Sequence, residues 1–343
     1  MTVTIKDIAR KVGVNPSTVS RVVNGTASIS EETRKKILAA MEELDYHPNS
    51  LARSLVNGST STIGLIIDAG NSDAFSNAFF IRSVSAIETV AQQRGFHLLL
   101  AGDTDRGMAY AVKNLVQEHK VDGVILPVSI VTEELLALLL KQQFPFVVMG
   151  EPAQEEKGVY WVDMDNEHGS RQAVEHLMRA GYRHPVLLVE NRGTVFEKKR
   201  IEGFRREKKD LGIAWSQDDV IECGTKPEEI GVVVRRLLQN EMDVDSLICP
   251  NNIAAYHVLT ELKRQKKSVP YDIGVVTFDN YPLAEYMDPP LTVVDVDTYQ
   301  LGEAAANALF DRIKERPGEG GNRLLPTRII GRASTIGGEG EIV

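Results

Sequence analysis

Cysteine is almost missing from this chain of 343 residues. Two thiols, Cys223 and Cys249, cannot make a disulfide framework, which points to a reducing compartment. Their spacing also lacks the paired pattern that zinc requires. Long apolar runs are missing as well. The longest, such as 135–140, fall far short of the roughly 20 residues that span a bilayer. The opening MTVTIKDIARKVG carries no apolar core of a secretory signal. Together these absences predict a soluble, cytoplasmic protein with no membrane partner. Catalytic signatures are scarce too: no G-x-S-x-G elbow, Walker loop, strand-borne G-x-G-x-x-G or H-E-x-x-H helix occurs. His168 and His176 lie too far apart on one predicted helix to share a metal. Neither an enzyme nor a cofactor is expected.

What is present is ordinary in bulk and uneven in distribution. Hydrophobic residues make up 43% and charged residues 25%, the balance of a folded globular protein, and the length allows two or three domains. The formal charge of −9, taken whole, argues against a nucleic-acid partner. Divided at residue 60, it does not. Residues 1–60 hold eight Lys/Arg against six Asp/Glu, a net +2, while the remainder holds 31 against 42, a net −11.

The first part reads as three short helices. Thr4 and Asp7 form a capping box ahead of the apolar positions Ile5, Ile8, Ala9 and Val12, and Gly13 stands where a helix end wants a positive φ. Asn15 caps a second helix that starts at Pro16 and ends at Asn24, with Val19, Val22 and Val23 as its buried stripe. Ser30 caps a third, running through Asp45 on Ile37, Leu38, Met41 and Leu44. Two short helices joined through a glycine and braced by a third make a helix-turn-helix. Opposite the valines stand Ser17, Thr18, Ser20 and Arg21, short donors that suit a helix lying in a major groove. The competing reading is a three-helix module with an incidental polar face.

The string VTIKDIARKVGVNPSTVSRVVNG, followed by IS, ETRKKI and LDYHPN, resembles the DNA-binding headpiece of the lactose-repressor family, the LacI/GalR regulators, over about 55 residues. The resemblance implies that Pro16, Ser17 and Arg21 read bases and that Thr4, Thr18, Ser20, Asn24 and Tyr46 meet the DNA backbone. It places a headpiece at 1–48 and a hinge helix with its linker at 49–61. Two hinge helices would pair in the minor groove, where Leu55, beside Ala52, wedges between bases. On its own residues, 49–56 is a marginal helix, and Asn57-Gly58-Ser59-Thr60-Ser61-Thr62 is a connector.

From Thr62 onward, short apolar strands alternate with amphipathic helices. Strands are expected at 63–67, 96–100, 123–127, 146–149, 186–190, 246–250, 273–278 and 292–296. Helices are expected at 80–94, 106–119, 132–142, 167–180, 197–210, 228–240, 252–266 and 298–314. This is an α/β pattern: two doubly wound parallel sheets, with residues 324–330 returning to complete them. The expected first lobe is about 62–160 plus 291–322, and the second about 161–290 plus 323–343. Ligands of such sheets sit at the carboxyl ends of the strands, so two facing lobes imply a cleft. Asp68, Asn251, Asn252, Asp279 and Asn280 offer strand-end hydrogen bonds, although each type is also a common helix cap or turn former. Phe75, Phe79 and Phe80 crowd one loop and suggest a stacking platform, with Trp161 as a second; the alternative packs Phe79 and Phe80 into the core.

The resemblance continues through VDGVIL, the Asn-Asn segment at 251–252, DIGVVTFDN and PPLT. It implies a two-lobed core like the periplasmic binding proteins, with a sugar or nucleotide in the cleft. It implies contact roles for Arg200, in RIEGF, and for Asn251 and Asp279. The patterns NSDAF, VDMDN and EKKRIEGF resemble the maltose-operon repressor branch. The expectation is therefore a homodimeric repressor on a pseudo-palindromic double-stranded DNA operator, released by a maltose- or maltodextrin-type sugar. A catabolite-control regulator, switched by a phosphorylated carrier protein, and a sugar-processing enzyme with a DNA-binding module are the alternatives.

Overall fold

The computed structural model describes residues 3–24, 29–46, 58–67, 78–102, 106–154, 156–239, 243–314 and 321–336. Thr4 opens α1 (Ile5–Val12) in the way its spacing predicts. Its backbone N–H donates to the Asp7 carboxylate at 3.0 Å and its hydroxyl donates to the same oxygen at 2.7 Å. Gly13 ends the helix at φ 75°, a left-handed conformation that needs no Cβ. Asn15 accepts the Ser17 N–H at 3.0 Å and opens α2 (Pro16–Asn24), and Ser30 accepts the Thr33 N–H ahead of α3 (Glu31–Glu43). Ile8, Ala9, Val19, Ile37 and Ala40 are buried where the three helices meet, with Val22, Val23, Met41 and Leu44 half-buried around them.

The core begins with β1 (Thr62–Ile66), α4 (Ala78–Gln93), β2 (His97–Ala101), α5 (Met108–Gln117), β3 (Gly123–Pro127), α6 (Glu133–Lys141), β4 (Phe146–Met149) and β5 (Trp161–Met164). After Asp165 follow α7 (Asn166–Arg179), β6 (Pro185–Val189), α8 (Val195–Asp210), β7 (Val220–Glu222), α9 (Pro227–Gln239), β8 (Ser246–Cys249), α10 (Asn252–Arg264), β9 (Gly274–Phe278), α11 (Pro282–Tyr286) and β10 (Thr292–Asp295). The chain then adds α12 (Thr298–Ile313), β11 (Arg323–Leu325) and β12 (Arg328–Ile330).

These strands form two six-stranded sheets, ordered β11-β5-β4-β3-β1-β2 and β12-β10-β9-β8-β6-β7. Every pairing is parallel except β10 with β12. Continuous apolar strands such as Gly123–Leu126 and Gly274–Phe278 are buried because helices cover both faces. In the first sheet, Ile87, Val90, Leu309 and Phe310 cover one face, and Val112, Leu115, Leu135 and Leu139 cover the other.

The helices expected in the headpiece and the core are present, the hinge helix expected at 49–56 lies outside the described residues, and 324–330 does return to complete both sheets. The division of strands between the lobes differs from the expectation. Trp161–Met164, expected to open the second lobe, lies in the first sheet with Trp161 opposite Val148. The Thr292 strand, expected in the first lobe, pairs with β9 in the second sheet. The first strand of the returning segment, β11, belongs to the first sheet rather than the second. The polar stretch at 151–158 looks like a boundary in sequence, yet the crossing falls at Asp165. A parallel strand's partner is far away in sequence, so its own residues do not reveal its sheet.

In each lobe a glycine permits one helix to lie directly on another. A Cβ on Gly203 of α8 would stand 2.1 Å from the Glu167 carbonyl oxygen on α7, and one on Gly302 of α12 would stand 2.3 Å from that of Ser83 on α4. Backbone cannot yield as a flexible side chain does. Gly203→Ala and Gly302→Ala are each expected to cost about 1–3 kcal/mol in urea unfolding, by forcing the helices apart. Gly321→Ala, where a Cβ meets open space, is the neutral control.

Candidate functional site

Strand ends from both sheets converge on Arg200. β5 delivers Asp163, β6 leads to Glu190, β8 to Asn251 and β9 to Asp279. Arg200 rises from α8 and is 7% exposed. Its Nε donates to Asn166 Oδ1 and its Nη1 to the Pro250 carbonyl, both at 3.0 Å. The guanidinium carbon lies 3.6 Å from the Phe278 ring centroid and 5.2 Å from that of Phe196, two cation–π contacts that add to the hydrogen bonds in holding its plane. The two hydrogen bonds use two of its five N–H donors.

Asp279 is held at φ 73° by its N–H bond to the Val294 carbonyl and by Asn252, whose Nδ2 donates to the carbonyls of Phe278 and Asp279 at 2.9 and 2.8 Å. Burial pushes the Asp279 carboxyl up to about 6, with Arg200 pulling the other way. Asn251 caps α10 by accepting the Ala254 N–H at 2.9 Å, while its Nδ2 donates to Glu190 at 2.6 Å. The capping role and the cleft placement therefore coincide in one residue. Glu197, fully buried, accepts the Glu190 N–H at 3.0 Å through Oε1, and its Oε2 has no hydrogen-bond partner. Burial raises its pKa, with Arg200 again opposing. The Tyr281 hydroxyl is likewise buried and unpartnered, and burial raises its pKa. From the first sheet, Asp163 accepts the N–H groups of Glu151 and Met164 at 2.9 and 2.7 Å, and burial raises its pKa too. Lys199 on α8 bonds Glu151, beyond β4, at 2.8 Å, an ion pair that spans the two lobes.

Of the residues expected in the cleft, Arg200, Asn251 and Asp279 come together. Trp161 does not. It is 6% exposed and packs in the first-sheet core with Val112, Leu139 and Val148. It is the first residue of β5, and the cleft lies at the other end of that strand. Phe80 is half-buried and packs against the first-sheet core, as the core alternative had it. Asp68, Phe75 and the side chain of Phe79 lie outside the described residues. Asn166, Glu190, Phe196, Glu197 and Tyr281 join the site without having been expected there from sequence. A signal for two of them existed: Phe196, Glu197 and Arg200 stand at helical i, i+1 and i+4.

In the headpiece, Pro16, Ser17 and Arg21 are exposed on α2, and Thr18 and Ser20 are half-buried. Ser17 Oγ donates to Asn15 Oδ1 at 2.8 Å, and the Thr4 hydroxyl is engaged by Asp7. Tyr46 packs half-buried against the three-helix core. Ala52, Leu55 and the side chain of Asn24 lie outside the described residues. No helix among the described residues is long and apolar enough to cross a membrane, and no cluster of His, Cys, Asp or Glu among them is placed to hold a metal.

A helix-turn-helix joined to a two-lobed α/β core with a polar cleft defines a ligand-responsive DNA-binding regulator. Residues 4–49 match the family described as bacterial regulatory proteins, lacI family, and residues 174–335 match a periplasmic binding protein-like domain. The regulator CelR of Thermobifida fusca is 30% identical over 96% of this chain and 98% of its own length. The repressor PurR of Aliivibrio fischeri (strain MJ11) is 29% identical over 97% and 98%. A solved CelR–cellobiose complex superposes with a TM-score of 0.73 at 29% identity, covering 97% of this chain and 99% of that one. The lac repressor dimer bound to operator and an anti-inducer gives 0.82 at 24% identity, over 98% and 100%, a likeness of fold. The chain belongs to the lacI family of transcriptional regulators, and it is a DNA-binding repressor rather than an enzyme.

The buried Asp279 carboxyl makes stability depend on pH. Its folded pKa of about 6 exceeds the ordinary 3.8, so its contribution is full below 3.8 and is lost as pH rises through 6. Asp279→Asn should therefore gain melting temperature relative to the parent as pH is raised from 4 to 7. A pH-independent difference would show that burial of this charge is not limiting.

Proposed function

We propose that this repressor governs carbohydrate-utilisation genes and leaves its operator when a sugar closes the cleft on Arg200 and Asp279. One observation carries the reading: a plane-locked guanidinium with donors to spare stands within the electrostatic reach of a buried carboxyl. Adjacent sugar hydroxyls each donate and accept, so one accepts from Arg200 while its neighbour donates to Asp279. The orphaned Tyr281 hydroxyl and Glu197 Oε2 supply further buried polar atoms beside them. Site roles for Asp68, Phe75 and Phe79 in the same cleft, and hinge roles for Ala52 and Leu55, remain part of the proposal.

The effector we favour is a maltose- or maltodextrin-type glucoside, on the strength of the NSDAF, VDMDN and EKKRIEGF patterns. A cellobiose-type glucoside is the second reading, favoured by the likeness to a regulator solved with cellobiose. The proposed assembly is a homodimer on a pseudo-palindromic operator. Ile253 and Tyr256, one turn apart on α10, and Leu283 and Tyr286, one turn apart on α11, are exposed apolar side chains of the second lobe that suit contact with a second copy.

A repressor needs the sugar to favour the off-DNA state, and the same coupling makes operator DNA weaken sugar affinity. Fluorescence anisotropy on operator DNA, titrated with maltose and with cellobiose, separates the two effectors. Arg200→Ala should keep operator binding and lose release by either. Arg21→Ala should weaken operator binding by about 1–3 kcal/mol and relax its specificity, if the side chain reads a base. Release of the Arg200→Ala protein at parental sugar concentrations would overturn the assignment.

A further inference from the structure

The chain enters the core through a segment that its Ser/Thr-rich sequence disguises as a free connector. All four lone-pair sites of one carboxylate, Asp122, are filled by three consecutive linker residues. Oδ2 accepts from Ser59 Oγ at 2.6 Å and from the Ser61 N–H at 2.9 Å. Oδ1 accepts from the Thr60 N–H at 2.7 Å and from Thr60 Oγ1 at 3.0 Å. The Asp122 N–H donates in turn to the Thr62 carbonyl at 2.8 Å. On the other side, the His97 N–H donates to the Ser61 carbonyl at 2.8 Å. Ser61 itself stands at φ 51°, a left-handed conformation that an L residue keeps only where its surroundings over-determine it.

The topology gives this grip its meaning. β1 lies between β2 and β3, His97 starts β2, and Asp122 immediately precedes β3. The linker is therefore stitched to both neighbours of the strand it leads into. A connector that transmits nothing needs no such attachment; Gly/Ser/Thr linkers otherwise behave as flexible coil. From these contacts we infer that Asp122 is a positioning residue for DNA recognition. It fixes the direction in which the chain leaves the first lobe for the headpiece, so that movement of this lobe is passed to the DNA-binding end rather than absorbed by the linker.

The inference rests on the chain's being a DNA-binding regulator and is independent of which sugar it takes. Specific binding by a dimer needs both headpieces set at the half-site spacing, whereas binding to unrelated duplex depends mainly on phosphate contacts. Loss of the clamp should therefore separate the two. The test uses the full-length chain and a duplex selected by it from a randomised library. Asp122→Asn puts an amide N–H₂ where donors now point. Ser59→Ala with Thr60→Val removes the hydroxyl bonds from the linker side and leaves the lobe intact.

Each change should weaken affinity for the selected duplex by about tenfold, the scale of a site-to-site coupling. Affinity for unrelated duplex and the melting temperature should stay at their parental values. Ser59→Thr, which keeps a hydroxyl, should retain parental affinity. If Asp122→Asn lowers the melting temperature, the linker-side double variant decides alone. Parental affinity of that double variant for the selected duplex would overturn the proposal, and so would an equal loss on both duplexes. A parental chain that selects no sequence would instead overturn the regulator assignment itself.

Discussion

The two sheets of this core cannot be built one after the other. The chain passes between them at Asp165, again at 296–297 between β10 and α12, and a third time at 326–327 between β11 and β12. Each lobe therefore contains strands or helices from both halves of the core sequence, and among the described residues these three short crossings tie the lobes together. That constraint places the cleft. β5 and β10 end at crossings and so have their carboxyl ends at the lobe boundary, and β8 and β9 run parallel to β10, so Asp163 arrives from one sheet and Asn251 and Asp279 from the other. It also explains why α8 carries the central arginine: the helix packs closely on α7, the first element after the first crossing, and Asn166 at its start bonds Arg200.

Within that frame, the chemistry of the cleft is an economy of one cation among several acids. Asp163, Glu197 and Asp279 all have raised pKa values because they are buried, and Arg200 lowers each of them in opposition. A second cation, Lys199, is engaged by Glu151 across the lobes. The result is an acid-rich site built around one held guanidinium, hydrogen-bonded at most positions and incomplete at Tyr281 and Glu197. Such a surface favours a neutral ligand rich in hydroxyl groups, which can satisfy donors and acceptors without importing charge.

Much of this was legible in the amino-acid sequence where the signal was local. The Thr4–Asp7 cap, the left-handed Gly13 and the Asn15 cap fixed the headpiece helices residue by residue, because capping is written in side chains a few positions apart. The helix and strand periods of the core were equally plain. What depended on distant partners was not. Trp161 looked like a stacking surface because an indole beside an acidic strand invites that reading, yet its place at the amino end of β5 buries it. The lobe assignments of β5, β10 and β11 failed for the same reason. The Ser59–Ser61 segment hid its role because its partner, Asp122, is some sixty residues on in sequence.

The last two strands have a consequence for how the molecule is made. β11 and β12 are the outer strands of their respective sheets, and α12, just before them, covers the first sheet. During synthesis, both lobes therefore expose an unpaired strand edge, on β5 in one and β10 in the other, until residues 323–330 have cleared the ribosome. The headpiece, built from local contacts, folds long before. A newborn chain thus owns a DNA-binding module well ahead of the lobes that control it. A truncated translation product lacking those strands would have a formed headpiece without a completed switch.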